Sequence, residues 1–320
     1  MKIALIGPGL MSIPPKSWGA VEILIWNYRN CLIKKGHEVV IYNTKDLNFV
    51  KTEIENNYFD VVHLHFDNYL HFFEDIKCDN FFVTSHYGNL PLEEQYEGFY
   101  WKIFYSFLRT RHNILALSPE IKEKYQSYGF NENKIFVSHN GVEIEKFRFS
   151  ESAAESDRTI YFGRLERRKG QHLFCNQDGF NLDFVGNAGD IKNLNLSKEN
   201  RYLGTWEKTK VYSDLTNYAN MALISYGEAH PLVCMEALAA GLGVVVSDVA
   251  SANLDKNKDF ITIVPNNKIE DIDYVRKKII ENREASVSMR KEIREYAQES
   301  FSWDNVVDKY INVLNGVING

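Results

Sequence analysis

Short apolar runs alternate with amphipathic segments along most of this chain, and this alternation limits the folds that it can adopt. The first run, Lys2–Ile6, is short and almost continuously apolar, as expected for a strand that is buried on both faces. Apolar residues then recur at helical spacing from Val21 to Leu32, and Gly36 follows as a C-terminal cap. Strand and helix alternation with short connections predicts a doubly wound α/β fold.

Apolar runs of strand length occur in both halves of the chain and predict two domains. The predicted strands lie at 2–6, 38–42, 59–65, 81–86, 113–117 and 135–138 in the first half, and at 159–162, 182–185, 221–225, 243–247 and 260–264 in the second. The stretch 150–157 is small and polar, so we interpret it as the linker. The predicted domains are 1–152 and 153–302, followed by an amphipathic helix over 303–320. Ligands of such sheets bind beyond the carboxyl ends of the strands, so the expected site is a cleft between the domains.

The bulk composition is that of a soluble globular protein. A net charge of -6 argues against nonspecific nucleic-acid binding and against general attraction to anionic membranes. No stretch of the sequence approaches the ~18 apolar residues of a membrane-spanning helix. The scattered cysteines predict reduced thiols, a cytoplasmic location and no metal site; they are Cys31, Cys78, Cys175 and Cys234.

An aromatic-rich segment at 93–109 has two readings. A membrane-interface helix is conceivable, but Glu93, Glu94 and Glu97 outnumber the nearby cations and the amphipathic pattern is blurred. Core packing or a wall of an acceptor site therefore explains the segment better, and peripheral membrane contact is disfavoured.

Asp271 and Asp273 form an Asp-x-Asp pattern, which binds a metal ion in some enzymes. They open a predicted helix over 274–282, where negative charge complements the helix dipole. That structural role explains the two residues better than a metal site does.

The segment 225–241 predicts a helix start that binds an anion. Pro231 suits a first helical turn, so the free N–H groups of Leu232 and Val233 would point out of a helix N-terminus. Glu228 lies in the preceding loop, and Glu236 lies one turn inside the helix with its side chain tilted back toward the start.

A carboxylate on each side of a phosphate site suits a ligand that carries hydroxyls at both ends of a diphosphate. A nucleotide sugar is such a ligand, with a ribose on one side and a hexose on the other. The alternative is an ordinary buried helix after a loop, since a spacing match by itself is only a hypothesis.

A basic turn follows the first strand of the second domain. Gly163 and Arg164 leave the strand, and Lys169 precedes the next helix. Arginine offers a planar fork to phosphate oxygens and lysine a point charge, although a solvated basic turn is the simpler reading of this pattern alone.

Small-residue turns lie at the corresponding edge of the first domain. Gly19, just before the first helix, would let the backbone approach a phosphate closely. Gly7 and Gly9 form only an incomplete dinucleotide fingerprint. The second strand ends at Asn43 without the acidic residue that holds a ribose diol, so a nicotinamide cofactor is disfavoured.

Histidines end two of the predicted strands. His86 faces the expected cleft by position, so we predict that it contacts the substrate. We interpret His63 and His65 as structural hydrogen-bonding residues at a strand end.

Over nearly its whole length the chain resembles family 4 glycosyltransferases, the large retaining group with the GT-B fold. The matching motifs are Gly36-His37-Glu38-Val39, Asp60-Val61-Val62-His63, Thr84-Ser85-His86, Asn140-Gly141-Val142, Gly163-Arg164-Leu165 with Lys169-Gly170, Glu228-x7-Glu236, Gly241-x-Gly243-Val244-Val245 and Phe301-Ser302-Trp303. It is also similar to members of this family encoded by large DNA viruses of algae, which would place it in a host cytoplasm.

The resemblance implies a role for each matching residue. Arg164 and Lys169 would neutralise the departing diphosphate, with Gly163, Leu232 and Val233 binding the donor beside them. Glu228 and His86 would contact the transferred sugar, Glu236 the ribose and Gly19 a phosphate. The family usually has Phe-Gly where this chain has His230-Pro231; we count His230 among the donor-binding residues, and Pro231 supplies no N–H.

The resemblance also implies two domains that face each other across a cleft, with the C-terminal helix returning to the first domain. The first domain would bind the acceptor and the second the nucleotide-sugar donor. We therefore predict a retaining, metal-independent hexosyltransferase that needs no cofactor besides its donor. The expected donor is GDP-mannose, then a UDP-hexose, and the acceptor is a glycan or another hydroxyl compound. The alternative is an inert nucleotide-sugar-binding or scaffold protein.

Overall fold

The structure is a computed structural model of the 320-residue chain. It describes residues 1–15, 19–88, 90, 98, 100–190 and 193–320. These residues form two compact units, one made of Met1–Asn140 with Trp303–Gly320 and the other of Gly141–Ser302.

Strands and helices alternate along both units, as the apolar pattern predicts. The strands of the described residues are β1 (Lys2–Ile6), β2 (Glu38–Tyr42), β3 (Val61–Leu64), β4 (Phe81–Val83), β5 (Asn113–Ala116), β6 (Ile135–Val137), β7 (Glu155–Phe162), β8 (Leu182–Val185), β9 (Arg201–Tyr202), β10 (Tyr218–Leu223), β11 (Gly243–Ser247) and β12 (Ile261–Val264). The α-helices are α1 (Ala20–Lys34), α2 (Leu47–Asn56), α3 (Tyr100–Arg109), α4 (Pro119–Ser127), α5 (Gln171–Phe174), α6 (Lys208–Asp214), α7 (Leu232–Ala239), α8 (Ile272–Ser288), α9 (Arg290–Phe301) and α10 (Trp303–Asn319).

The first unit contains a parallel six-stranded sheet in the order β2-β1-β3-β4-β5-β6. The strand order reverses between β1 and β3, so a crevice is expected beyond the carboxyl ends of these two strands. Helix α10 packs on α1 in this unit: the Tyr28 ring lies 5.0 Å from the Trp303 ring and 5.1 Å from the Tyr310 ring. The apolar face of α10 therefore completes the core of the first unit.

The second unit contains another parallel six-stranded sheet, in the order β12-β11-β10-β7-β8-β9. All residues of β10 and β11 are buried, as expected for a parallel sheet covered on both faces. The strand order reverses between β7 and β10, which lie side by side at the centre of the sheet. The loops that follow these two strands therefore lie at the position where such sheets bind ligands.

The boundary between the units lies earlier than the sequence predicts. We expected the domains to divide at 152/153, but the compact units divide between Asn140 and Gly141. Two arginines of α9 explain the difference, because they bind the preceding segment to the second unit. Arg294 donates to the carbonyl oxygens of Ile144 and Phe147, and Arg290 Nε donates to the Ser150 oxygen at 2.7 Å.

The predicted linker over 150–157 is consequently wrong. Its last three residues begin β7, which starts at Glu155 rather than at 159. The polarity of these residues reflects the exposed start of that strand. Gly241 packs in the same region, with φ of +84° and no room for a Cβ beside the Phe149 ring.

The aromatic segment at 93–109 is described only in part, since residues 93–97 and 99 lie outside the described residues. Its described part forms α3, which buries Tyr100, Ile103, Phe104 and Phe107. This burial agrees with core packing. No helix of the described residues is long and apolar enough to cross a membrane.

The Arg290 contacts predict that loss of this side chain destabilises the second unit. Its side chain is 2% exposed and also donates to the Tyr218 and Thr216 oxygens. Arg290→Met should destabilise the second unit by roughly 3 kcal/mol or more, because it leaves buried carbonyl groups without donors. Hydrogen exchange of residues 144–150 should accelerate in this variant.

The neighbouring exposed Lys291 supplies the control. Lys291→Met should change the unfolding free energy by at most about 0.5 kcal/mol. Equal exchange rates for residues 144–150 in the two variants would show that Arg290 does not hold this segment.

Candidate functional site

The loops after β7 and β10 are joined through one buried tyrosine. The Tyr161 hydroxyl donates to the Lys169 carbonyl oxygen at 2.6 Å and accepts from the Ile224 N–H at 2.9 Å. Gly170 has φ of +76°, and a Cβ at this position would lie 2.1 Å from the Ile224 oxygen. Only glycine therefore permits the first loop to pass this close to the second.

Lys169 and Glu228 form an ion pair at this junction. The Lys169 Nζ lies 2.5 Å from the Glu228 Oε1, and the Arg168 Nη1 lies 3.4 Å from the same oxygen. Glu228 is 6% exposed, so its charge is balanced by the two cations rather than by solvent. The pair brings together two of the predicted catalytic residues and fixes the direction of both side chains.

Arg168 binds the backbone of the loop after β10 as well as the Glu228 carboxylate. Its guanidinium donates to the Gly227 carbonyl oxygen, and its own carbonyl oxygen accepts from the Tyr226 N–H at 2.7 Å. Arg168 is also 3.2 Å from Glu166 Oε2. The sequence pattern does not distinguish Arg168 from its basic neighbours, although Arg168 links the two loops more extensively than Lys169 does.

Arg164 is linked to this ion-pair group through Glu166, which also pairs with Arg168. Its side chain is 59% exposed and lies 3.4 Å from Glu166. The preceding Gly163 has φ of +152°, and a Cβ there would meet nothing within 4 Å. The space beside Gly163 is therefore open, and the exposed Arg164 side chain is accessible to an anion.

Helix α7 begins where the sequence predicts. Pro231 occupies the N-cap position and α7 has no side-chain cap. Since the first N–H groups of an α-helix lack intrahelical acceptors, those of Leu232 and Val233 can donate to an anion. His230, just before this start, is 8% exposed, and its ring lies 6.4 Å from the Phe301 ring.

Glu236 lies one turn inside α7 in a charged cluster. Burial raises the pKa of Glu236 to about 7, and the Lys208 ammonium opposes this shift. Burial also lowers the pKa of Lys208, while Glu236 and Glu143 act in the opposite direction. Glu143 in turn lies 2.7 Å from Lys146. We call these four residues the Glu236 cluster.

The first unit holds the remaining predicted residues. Gly19 is the N-cap of α1, and a Cβ there would lie 2.9 Å from the Glu22 Oε2. His86 lines a cavity of about 430 Å³ together with His65. Burial lowers the pKa of His86 to about 4, so this imidazole is neutral at pH 7.

His63 and His65 have different environments. His63 has the structural role that the sequence predicts, since its Nε2 lies 2.8 Å from the Thr84 Oγ1 and its Nδ1 3.2 Å from the Tyr310 hydroxyl. His65 has no hydrogen-bond partner for either ring nitrogen among the described residues. The structural interpretation therefore holds for His63 and is wrong for His65.

Asp271 and Asp273 belong to the start of α8, as predicted. The Asp271 Oδ1 accepts from the Tyr274 N–H at 3.1 Å, and Asp273 pairs with Arg276 at 2.6 Å. Within the described residues, no group of three or more His, Cys, Asp or Glu side chains is arranged to hold a metal ion.

Two family models match adjoining parts of the chain. The model described as Glycosyltransferase Family 4 matches residues 43–146, and the model described as Glycosyl transferases group 1 matches residues 143–300. The chain is of the family 4 glycosyltransferase type.

A curated relative is also named as a glycosyltransferase. TuaC of Bacillus subtilis, a glycosyltransferase named for teichuronic acid biosynthesis, is 25% identical over 188 residues. The match covers 53% of this chain and 47% of TuaC, so the chain matches about half the length of that relative.

Solved structures share the fold of this family 4-type chain. HepE of Anabaena, solved with UDP-glucose, has a TM-score of 0.74 at 15% identity, covering 99% of this chain and 100% of HepE. Sucrose-phosphate synthase from Thermosynechococcus elongatus has a TM-score of 0.77 at 15% identity, covering 99% of each chain. The prediction of two doubly wound domains of the GT-B type is confirmed.

Sequence reasoning missed three residues: Arg168 and Lys208 in the second unit, and His65 in the first. Arg168 stands beside Lys169 in a run of basic residues, and no spacing rule separates a loop-binding cation from a solvated one. Lys208 is 28 positions from Glu236 in the sequence and reaches it only through the fold. The strand-end pattern His63-x-His65 was the one available indication for His65.

The raised pKa of Glu236 makes the stability of the second unit depend on pH. Because the folded-state pKa exceeds the unfolded value, the contribution of Glu236 is fully present below the unfolded pKa of about 4.5 and is lost as pH rises through about 7. Glu236→Gln should therefore gain stability relative to the original protein across this window, by up to roughly 3 kcal/mol. Urea unfolding at several pH values measures the difference.

Lys208→Met is the companion variant, because it removes the cation that favours the charged form of Glu236. Its stability loss with rising pH should be steeper than that of the original protein. A difference between Glu236→Gln and the original protein that stays constant from pH 4.5 to 7 would contradict the assignment.

Proposed function

We propose that this protein transfers a hexose from a nucleotide-diphosphate sugar to a hydroxyl acceptor. The observation that carries the proposal is the Lys169–Glu228 ion pair, held with Arg168 at the strand-order reversal of the second sheet. A cation and a buried hydrogen-bond acceptor in one place suit a ligand that joins a diphosphate to a sugar. The uncapped start of α7 adds N–H donors for the same anion.

The geometry supports a division of roles along the donor. Lys169 and the exposed Arg164 would neutralise the diphosphate, with Leu232 and Val233 donating from the helix start. Glu228 would accept hydrogen bonds from hexose hydroxyls, and Glu236 would accept them from the ribose. Arg168 takes a new role in this scheme: it holds the Glu228 carboxylate in place when Lys169 turns toward phosphate.

We propose retention of configuration at the transferred carbon. The bond from the anomeric carbon to the phosphate oxygen breaks with its electron pair staying on the diphosphate. The acceptor oxygen bonds to the same face of the sugar, and its proton passes to the departing phosphate. The cations act where negative charge develops, which is the main source of catalysis in such a step.

The nucleotide of the donor is fixed by no residue described above. GDP-mannose before a UDP-hexose stays our predicted order, while HepE, a neighbour of the same fold, was solved with UDP-glucose. Calorimetric titration with GDP, UDP, GDP-mannose and UDP-glucose determines base and sugar together. If the protein binds a nucleotide sugar but neither hydrolyses it slowly nor transfers the sugar to an acceptor, the inert binding protein is favoured instead.

The two carboxylates should respond differently to bare and sugar-bearing nucleotides. Glu228→Gln should weaken binding of the nucleotide sugar by about 1.5–3 kcal/mol for each charged hydrogen bond lost, and turnover should fall by a larger factor than binding. It should leave the bare nucleoside diphosphate nearly unchanged, because that ligand has no hexose. Glu236→Gln should weaken the binding of both the nucleotide sugar and the bare nucleoside diphosphate.

Calorimetry with both ligands on both variants tests this assignment. The exposed carboxylate of Glu292, on α9 of the same unit, gives the control variant Glu292→Gln, which should bind both ligands normally. Equal loss of bare-nucleotide affinity in Glu228→Gln and Glu236→Gln would mean that the two ends are assigned wrongly.

Charge neutralisation by protein cations also predicts the response to chelators. Transfer should persist in EDTA, since Arg164, Arg168 and Lys169 supply positive charge beside the proposed diphosphate. Activity that disappears in EDTA and returns on titration with Mn²⁺ or Mg²⁺ would overturn this part of the proposal.

A further inference from the structure

Gln171, the first residue of α5, is a buried polar residue that has no role in the proposed function. The residue is 0% exposed. Its amide needs hydrogen-bond partners in the core, because a polar group that is buried without partners destabilises the fold. It finds them on the backbone of the loop after β7, which carries Arg164 and Glu166.

Three hydrogen bonds join the Gln171 amide to that loop. Its Nε2 donates to the Arg164 carbonyl oxygen at 2.8 Å and to the Gly163 carbonyl oxygen at 3.4 Å. Its Oε1 accepts from the Glu166 N–H at 3.4 Å. The donor and the acceptor of one amide are therefore both used on the stretch 163–166.

The loop after β8 holds the middle of this stretch. The Leu165 N–H donates to the Asn187 oxygen, and the Leu165 oxygen accepts from the Gly189 N–H, both at 3.0 Å. Gln171 binds the backbone groups on either side of Leu165. Loss of the amide would therefore leave Leu165 in place and release the residues next to it.

The residues that Gln171 holds carry charges of the proposed diphosphate site. Arg164 Nη1 lies 3.4 Å from Glu166 Oε1, and Arg168 Nη2 lies 3.2 Å from Glu166 Oε2. Glu166 thus contacts one arginine with each carboxylate oxygen. Because Gln171 binds the backbone of both Arg164 and Glu166, it restricts how far this ion pair can shift.

We propose that Gln171 is a positioning residue for Arg164: it holds the backbone from which this arginine reaches the diphosphate of the donor. The proposal rests on the transferase function proposed above, in which Arg164 neutralises the departing diphosphate. Gln171 itself makes no contact with the ligand in this scheme. An arginine on a fixed backbone loses less conformational freedom when it binds phosphate, so the amide raises affinity through Arg164.

Gln171→Met removes the amide and keeps the length of the side chain. It should weaken the binding of a nucleoside diphosphate about tenfold, because the guanidinium is no longer held for a charged hydrogen bond. Calorimetry measures this with whichever of UDP and GDP the original protein binds more tightly. Amide hydrogen exchange of residues 164–166 should accelerate in the same variant.

Asn200 supplies the matched control in the same unit. It is 5% exposed, its Nδ2 donates to the Cys175 oxygen at 3.0 Å, and its Oδ1 accepts from the Leu182 N–H at 2.8 Å. Asn200→Leu therefore removes a buried amide that binds backbone away from the basic turn. It should lower the unfolding free energy as Gln171→Met does and leave nucleotide affinity unchanged, with both variants measured at a temperature at which they are folded.

A double variant shows whether Gln171 acts through Arg164. Arg164→Gln alone should weaken the nucleoside diphosphate by about tenfold or more. The double variant should bind no more weakly than Arg164→Gln alone, because the side chain that the amide positions is already absent. Losses that multiply in the double variant overturn the assignment, as does unchanged affinity or unchanged exchange in Gln171→Met.

Gln171→Glu adds a readout that loss of packing would not move. A buried carboxyl group resists ionisation, and its protonated form offers a donor and an acceptor as the amide does. Relative to the original protein at the same pH, nucleotide affinity of Gln171→Glu should recover as pH falls from about 8 to about 5.5, whereas that of Gln171→Met should stay low. A deficit of Gln171→Glu that is constant over this range overturns the hydrogen-bonding role.

Failure of this inference differs from failure of the proposed function. If the original protein binds a nucleotide and Gln171→Met binds it equally well, the positioning role is wrong and the transferase proposal stands. If the original protein binds neither UDP, GDP, UDP-glucose nor GDP-mannose, both proposals are overturned.

Discussion

The close passage of Gly170 beside the Ile224 carbonyl determines the geometry of the second-unit site. It lets Tyr161 bond both loops at once, from inside the core. The ion pair of Lys169 and Glu228 forms beside this contact, because Tyr161 holds the Lys169 carbonyl group and the start of the loop that carries Glu228. The charged groups thus need little reorganisation when a ligand arrives, which is the condition under which fixed charges catalyse best.

Two arginines of α9 also hold distant parts of the second unit together. Arg290 and Arg294 bind carbonyl groups of the segment that leads into β7 and so extend the second unit toward Gly141. Their guanidinium groups donate to backbone carbonyl oxygens at Ile144, Phe147 and Ser150. The core of this unit consequently includes buried cations whose partners are backbone dipoles rather than carboxylates.

Much of the fold was predictable because buried parallel strands leave apolar runs of fixed length: β1 and β11 have the bounds that the sequence predicts. The start of α7 was predictable for a similar reason, since proline marks a first turn. The linker was not, because Ser150 is held by Arg290, which lies 140 residues away. His65 shows the same limit: a strand-end histidine looks structural until its missing partners are seen.

The ionisation of Glu236 couples ligand binding to proton exchange with the solvent. A carboxyl group with a pKa of about 7 is divided between two protonation forms in neutral solution. A ligand whose hydroxyls bond preferentially to the charged form therefore releases, on average, a fraction of a proton per bound molecule. Donor capture then exchanges a proton with the medium, and the heat of association varies with the ionisation enthalpy of the buffer. Through Lys208, a charge on α6 sets how large that exchange is.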